Sequence, residues 1–450
     1  MGRTNQAALP VKPGSAAREP ATPWQELTRA VRRLYEAGRG VRIGFVVVFL
    51  ASILVRVALG RAATPVFASD ARDYHILAQN LAAGRGYIEE YDGETGAFDG
   101  FTFRAFRPPG FPVFLVGLYA VLGPNYSAHL VANLVADLIT QLCYALIAAH
   151  LFGPGAALLV QALLAAHVLW TPNPMTESVF TAVFGLLALL LVFGGPLRSW
   201  MGALGFGVLA AAAMFIRPAG VCVLPALGWR LVRAGLSVRT VLLGGLALLP
   251  GALGVAVWGT RNYRLFGEFV WFTTNLGHHN AYDFDIPADY AFAQLRAERL
   301  NEAQINRELL RWELDGIRNN PVGALWLWCS RAADLFSLHP AWELEKVTWK
   351  WILNPRKSLT ARLYRAWYAH YLATYTLAAC GAAVLLLRRR RLGGLWSLLL
   401  CYVAIHAAFS RGDIRLAAPI YPILCVLAGG LWAALVGYGR TRPAPSGRQA

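Results

Sequence analysis

Charged residues are scarce in this chain, and acidic residues are the scarcer kind. Only 15% of its 450 residues are Asp, Glu, Lys or Arg, whereas 56% are hydrophobic. Soluble domains have about 25% charged and about 45–50% apolar residues, so this composition argues against a soluble enzyme. Several runs of about 17–23 residues with almost no charge are long enough to cross a hydrocarbon core of roughly 30 Å as helices. We therefore expect an all-α membrane protein.

Cysteine is also rare, and no CxxC pair occurs. The six cysteines fall almost entirely in apolar segments, so we predict neither a disulfide framework nor a zinc site. His278 and His279 are adjacent, and a regular element cannot easily direct both side chains to one metal ion. We predict no structural metal and no cofactor, and a requirement for a divalent ion is left open.

About ten apolar segments are predicted to span the membrane, and the charges are distributed unequally between its two sides. With the N-terminus in the cytoplasm, the inner segments contain 19 Lys or Arg and 3 acids. This positive-inside pattern accounts for the net charge of +17 without a nucleic-acid partner. It predicts a multi-pass protein of the cytoplasmic (inner) membrane with both termini inside. Its parts are a basic, partly disordered arm over 1–42, a membrane domain over 43–438 and a tail over 439–450. The predicted spans are 43–60, 127–152, 154–170, 178–195, 200–216, 219–232, 240–258, 366–387, 392–410 and 416–438.

Two long segments interrupt the predicted spans, and this topology places both on the outer face. Residues 61–126 and 259–365 contain 7 and 12 of the 25 acids. Loops longer than about 12–15 residues are usually functional or disordered, and these have too many aromatic residues and helix signals for disorder. An apolar stripe within 286–318 predicts an amphipathic surface helix, and we interpret 322–338 as a helix at the outer interface.

Polar residues collect at the outer ends of the predicted spans. Asp70 and Tyr74 are four residues apart, so they share one helix face. A carboxylate there can act as a general base, although Ser69 and Asp70 also suit a helix N-cap. Several arginines beside carboxylates can bind a phosphate group, although each arginine taken singly also suits an interfacial anchor. The other candidates at this face are Asp73, Arg107, Glu177, Arg217, Arg261, Asn262, His278 and Arg415.

The second predicted span has a polar stripe of His129, Asn133, Asp137 and Gln141. Such residues face the bundle or a wet cavity, so the stripe serves either hydrogen bonding between helices or a function of Asp137. Intramembrane polar groups also occur in transporters and lipid flippases, which are the alternative class for this chain. That class ranks second, because no internal repeat is evident and the polar residues gather at one surface.

Short motifs follow one another in a specific order after the first span. They are Asp70-x-x-x-Tyr74, Gly84-Arg85-Gly86-Tyr87, Arg107-Pro108-Pro109-Gly110-Phe111-Pro112, Thr176-Glu177, Arg217-Pro218, Arg261-Asn262-Tyr263 and a late Arg415 before the last span. In this order, over about 43–438, the chain resembles the GT-C superfamily of integral membrane glycosyltransferases. Specifically, it resembles the bacterial, family 39-like branch related to protein O-mannosyltransferases and the lipid A aminoarabinose transferase.

The resemblance implies a membrane enzyme that takes a sugar from a polyprenyl phosphate carrier and places it on an acceptor at the outer face. It implies that Asp70 is the catalytic acid. Relatives often have Glu directly after this Asp, whereas here Ala71 follows and the second acid is Asp73. We expect Arg217 and Arg261 at the donor phosphate. The full expected donor-binding set is Arg217, Arg261, Arg107, Arg415, Tyr74, Asp73, Glu177, Asn262 and His278.

The expected partners are the lipid bilayer and the lipid-linked sugar donor, with no nucleic acid. The acceptor, whether glycan, lipid or protein, stays open. The chain lacks the large extra luminal domain of the protein O-mannosyltransferases, which argues against assuming a protein acceptor.

Overall fold

The computed structural model describes residues 22–62, 67, 70–90, 100–168, 175–277, 288–336, 357–390, 392, 394–409 and 414–437. Within these ranges the chain forms sixteen α-helices, one two-stranded sheet and short 3-10 turns. In chain order the helices are α1 (Pro23–Tyr35), α2 (Arg39–Ala62), α3 (Asp70–Ala82), α4 (Gly110–Leu122), α5 (Tyr126–Phe152), α6 (Pro154–Ala166), α7 (Glu177–Phe193), α8 (Trp200–Ile216), α9 (Val223–Ala234), α10 (Val238–Phe266), α11 (Ala288–Ala297), α12 (Glu302–Asn319), α13 (Pro321–Asp334), α14 (Lys357–Leu387), α15 (Leu395–Phe409) and α16 (Tyr421–Leu435). Half of the basic arm, residues 1–21, and the whole tail, residues 439–450, lie outside the described residues.

Capping residues define the ends of the long helices. The Asn125 side chain accepts a hydrogen bond from the Ala128 N–H at the start of α5, which ends at Gly153. Ser237 caps α10 in the same way, and Gly267 ends it in the left-handed region at φ 74°. These local signals explain why the helices begin and end where they do.

Four helices are long and apolar enough to cross a membrane: α2, α5, α10 and the Ala366–Leu387 part of α14. Six further apolar helices have 10–17 residues: α4, α6, α7, α8, α15 and α16. The described residues are therefore mostly helical and include four helices that could cross a membrane, as expected for an all-α membrane protein. Every predicted span overlaps a helix, but most of these helices are shorter than the roughly 20 residues of a typical span. The number of ten spans accordingly stays a prediction.

The bundle core is formed mainly by α5, α7, α8 and α16. Helix α14 packs along α16, α8 along α10, and α5 along both α6 and α7. Tyr144, Phe180 and Phe206 are fully buried in this core. Around the outside, apolar side chains such as Leu54 and Val257 are 69% and 73% exposed. An apolar surface of this kind is suited to contact with lipid chains.

The two segments predicted as outer loops contain more secondary structure than the sequence indicated. Within 61–126 the chain forms α3, α4 and a small antiparallel sheet of β1 (Glu89–Glu90) and β2 (Thr102–Phe103). The prediction missed α4 because its 13 residues are fewer than a span needs. The single amphipathic helix predicted over 286–318 is also wrong, because α11 and α12 are separated at Arg299, which has φ 62°. The segment predicted as an interfacial helix, 322–338, overlaps α13, and its last two residues lie outside the described residues.

Candidate functional site

Two carboxylates at the start of α3 share one guanidinium group. Arg107 Nη2 donates to Asp70 Oδ1 at 2.7 Å and to Asp73 Oδ2 at 2.6 Å, and Arg107 Nε donates to the same Asp73 oxygen at 2.9 Å. The Asp73 side chain is 5% exposed, whereas that of Asp70 is 20% exposed. Asp70 is therefore the carboxylate that an approaching group reaches more easily.

Charge compensation keeps Arg107 protonated inside the protein. Burial alone would lower the pKa of its guanidinium, but the carboxylates of Asp70 and Asp73 raise that pKa well above its ordinary value. Asp70 is the first residue of α3, so the N-cap position falls on residue 69, outside the described residues. The guanidinium of Arg107, in the loop before α4, therefore positions the Asp70 carboxylate.

Tyr74 connects this cluster with a second ion pair. Its ring packs under Arg107, with the guanidinium carbon 5.7 Å from the ring centroid. The hydroxyl lies within electrostatic range of Asp70, Arg217 and Glu177, and burial raises its pKa to about 12. The Tyr74 hydroxyl is consequently neutral at physiological pH.

The second ion pair joins two helix ends. Glu177 is the first residue of α7, Arg217 follows the last residue of α8, and Arg217 Nη1 donates to Glu177 Oε1 at 3.1 Å. Gly110 holds the Arg107 loop close to this end of α8. A Cβ on Gly110 would lie 2.5 Å from the Phe215 carbonyl carbon, so only glycine permits this approach.

Arg261 is held at the site by carbonyl groups and aromatic rings. Its Nη1 donates to the Arg104 carbonyl at 2.7 Å, and its guanidinium carbon lies 4.6 Å from the Trp258 ring centroid. No carboxylate forms an ion pair with Arg261 in the described part of the chain. Its positive charge is thus more available to an anion than those of Arg107 and Arg217.

Tyr87 joins Arg261 to the Arg107 loop, and sequence analysis had assigned it no role. The Tyr87 hydroxyl donates to the Arg107 carbonyl at 2.8 Å, and its own carbonyl accepts from Arg261 Nη2 at 3.3 Å. The two glycines that precede it, Gly84 and Gly86, have φ 71° and 92°. These left-handed conformations explain the Gly-Arg-Gly-Tyr motif, which was the sequence signal that could have identified Tyr87.

Glu302 ties the two long polar segments together, and it was also missed. Its carboxylate accepts hydrogen bonds from the Arg104 N–H at 2.7 Å, the Ala105 N–H at 2.9 Å and the Thr274 hydroxyl. Burial raises the pKa of Glu302, although these hydrogen bonds oppose the shift. The only local signal was its place in the first turn of α12, directly after the N-cap residue Asn301, which indicates a helix start but not a buried carboxylate.

The structure brings most of the predicted site residues together. Asp70, Asp73, Tyr74 and Arg107 form one cluster that is linked to Glu177 and Arg217, and Arg261 adjoins it through Tyr87. Asn262 is fully buried, and its amide donates to the Val270 carbonyl at 3.2 Å, so it supports the backbone. His278 lies outside the described residues, as does the Arg415 side chain.

The polar stripe on α5 takes part in a buried hydrogen-bond network between helices. Asp137 accepts from Arg56 Nε at 3.0 Å, and the other Arg56 N–H groups donate to Ser52 and to carbonyls at the end of α6. All five N–H groups of the Arg56 guanidinium therefore donate hydrogen bonds. These bonds join neighbouring helices, which is one of the two roles suggested for the stripe. A cavity of about 20 Å³ beside the pair has room for about one water molecule.

Comparison with models of protein families gives no match, and comparison with curated protein sequences gives none either. Among the described residues, no three His, Cys, Asp or Glu side chains are placed to hold a metal ion.

Proposed function

We propose that this protein is a membrane glycosyltransferase that moves a sugar from a polyprenyl phosphate carrier to an acceptor. The observation that carries the proposal is the pairing of a partly exposed carboxylate with arginines at one end of the bundle. Asp70 is oriented by Arg107. Arg217 pairs with Glu177 at the neighbouring helix ends, and Arg261 joins the Arg107 loop through Tyr87, so both supply positive charge to this end of the bundle. A carboxylate and cations in this arrangement suit a reaction in which a hydroxyl is deprotonated and a phosphate departs.

The reaction begins with a sugar joined through C1 to the oxygen of a lipid phosphate. Asp70 takes the proton of the acceptor hydroxyl as that oxygen forms a bond to C1. The bond between C1 and the phosphate oxygen breaks, and the electron pair leaves with the lipid phosphate. Arg261, which has no carboxylate partner among the described residues, neutralises the charge that develops there, and Arg217 assists it.

The transporter alternative rests on the intramembrane charges, and their geometry disfavours it. Arg56 is 3% exposed, and its five N–H groups all have acceptors. A pair fixed in this way stabilises the contact of α2, α5 and α6. It leaves no unsatisfied guanidinium donor for a moving substrate.

The experiment is incubation of purified protein with radiolabelled polyprenyl phosphate sugars and a membrane extract as the source of acceptors. We expect at least one sugar of a panel to leave the lipid fraction and become linked to an acceptor. A flippase would move the carrier across proteoliposomes with its sugar still attached. Movement of that kind with no cleavage for any sugar would contradict the proposal, as would transfer from nucleotide sugars alone.

A further inference from the structure

A second polar feature lies at the opposite end of the bundle. It is a cavity of about 360 Å³ bounded by α1, the last turns of α5 and α16, and the residues that follow α14. On α5, His129 packs against Phe111 near the Asp70 site, whereas His150 lines the cavity. The helix between these histidines is roughly 32 Å long, close to the hydrocarbon thickness of about 30 Å. The cavity and the site therefore lie near opposite membrane surfaces.

Four arginines give the cavity a positive wall. Arg29, Arg33, Arg388 and Arg390 line it, together with Glu26. Glu26 pairs with Arg29 at 3.0 Å, and Arg33 donates to the last backbone carbonyls of α5. Arg388 and Arg390 are exposed and have no acidic partner within the described ranges. These two guanidinium groups are therefore available to bind an anion through charge-assisted hydrogen bonds.

Apart from His150, the rest of the cavity lining is apolar and adjoins an exposed apolar surface. Phe152, Leu385 and Ala433 are buried and line the cavity. Directly before Arg388, the side chains of Leu386 and Leu387 are 61% and 85% exposed. A ligand with an anionic head and an apolar tail would match both parts.

Helix α1 indicates the depth of the cavity in the membrane. It is strongly amphipathic, its Ala30 is buried against the bundle, and Trp24 and Tyr35 are each 74% exposed. Exposed Trp and Tyr side chains favour the level of the lipid headgroups. The cavity that α1 borders is therefore expected at the same level.

We propose that this cavity binds the phosphate headgroup of an anionic membrane lipid. Arg388 and Arg390 contact the phosphate, and the acyl chains lie along Leu386 and Leu387. Free phosphate would match the charge but would leave the apolar part unfilled. Basic pockets between helices at the cytoplasmic surface suit lipid headgroups of this kind. The proposal is independent of glycosyl transfer.

The test is titration of delipidated protein in detergent with dihexanoyl phosphatidylglycerol, followed by thermal unfolding. Saturable stabilisation is expected, and Arg388→Gln with Arg390→Gln should raise the apparent Kd roughly tenfold or more. The matched control is Arg233→Gln with Arg239→Gln, which removes the same charge from exposed positions at the same end of the bundle, outside the cavity lining. This control should bind the lipid like the wild type.

Further variants and ligands distinguish binding of an anionic lipid from binding of free phosphate or of a neutral lipid. Arg388→Lys with Arg390→Lys should retain part of the affinity, which distinguishes loss of charge from misfolding. Dihexanoyl phosphatidylcholine and inorganic phosphate should each stabilise the protein far less. Equal weakening in the control pair, equal binding of phosphate alone or of phosphatidylcholine, or absence of saturation would overturn the proposal.

Discussion

Arg107 donates two hydrogen bonds to a single oxygen of Asp73, from Nε at 2.9 Å and from Nη2 at 2.6 Å. Asp73 therefore anchors the guanidinium, while the more exposed Asp70 receives one hydrogen bond at 2.7 Å. The two carboxylates have different tasks in this arrangement. Asp73 positions Arg107, and Arg107 in turn positions Asp70.

The first prediction separates these two roles by stability. Asp73→Asn removes a buried charged acceptor and should lower the free energy of unfolding by about 1.5–3 kcal/mol, the range for hydrogen bonds to charged groups. Asp70→Asn, at a more exposed position, should change it much less. Thermal unfolding in detergent provides the comparison. Equal destabilisation by both substitutions would show that Asp73 is not the anchor.

The second prediction concerns the contact between α4 and α8. A Cβ at residue 110 must displace the backbone just before Arg217, so Gly110→Ala should cost about 1–3 kcal/mol. It should also slow transfer by moving the Arg107 loop away from Arg217. Gly117 on the same helix has open space around it, and Gly117→Ala is the matched control. If both variants behave like the wild type, this contact does not position the site.

The third prediction concerns the phosphate. Arg217→Ala and Arg261→Ala should each weaken donor use by about 1.5–3 kcal/mol. Lysine should recover only part of the loss, since it supplies a point charge without a planar fork. At residue 261 it also loses the contact with Trp258. Donor kcat/KM for the four variants is the measurement, and wild-type values in both alanine variants would assign these arginines to interfacial anchoring.

The sequence predicted those features of the site that depend only on residues close together in the chain. The four-residue spacing of Asp70 and Tyr74 places them on one helix face, and Glu177 and Arg217 were expected at helix ends, where the structure has them. Long-range pairing could not be predicted in this way. Nothing in the local sequence indicates that the Ala105 N–H meets a carboxylate 197 residues later.

The same limit applies to the apolar helices. Composition predicted a membrane protein, since charge is excluded from long segments, and four helices are long and apolar enough to cross a membrane. It did not identify α4, because 13 apolar residues suit a buried helix as well as a short membrane segment. The division of α11 from α12 depends on the backbone conformation at Arg299, which the apolar periodicity does not report.

The fourth prediction is a pH dependence that originates at Glu302. Its pKa in the folded protein is raised above the ordinary value of 4.5, so the folded state binds this proton more tightly than the unfolded state. Its contribution to stability is therefore greatest below pH 4.5 and declines as pH rises through the folded pKa.

The stability of the wild type relative to Glu302→Gln should accordingly increase as pH is lowered from neutrality. Thermal unfolding in detergent across this range is the measurement. Glu298→Gln, at an exposed position nearby, is the control for general effects of charge. A wild-type advantage that shrinks on acidification would contradict the assigned direction.

The central claim is that Asp70 accepts the proton of the nucleophile when the sugar leaves its lipid phosphate. The most direct measurement is the transfer rate of wild type and Asp70→Asn with the carrier-linked sugar that the donor panel identifies. Asparagine keeps the size of the side chain but removes the base. We predict a loss of about 10²-fold or more, the scale of general base removal, with the melting temperature nearly unchanged. Near-normal transfer by Asp70→Asn would contradict the account.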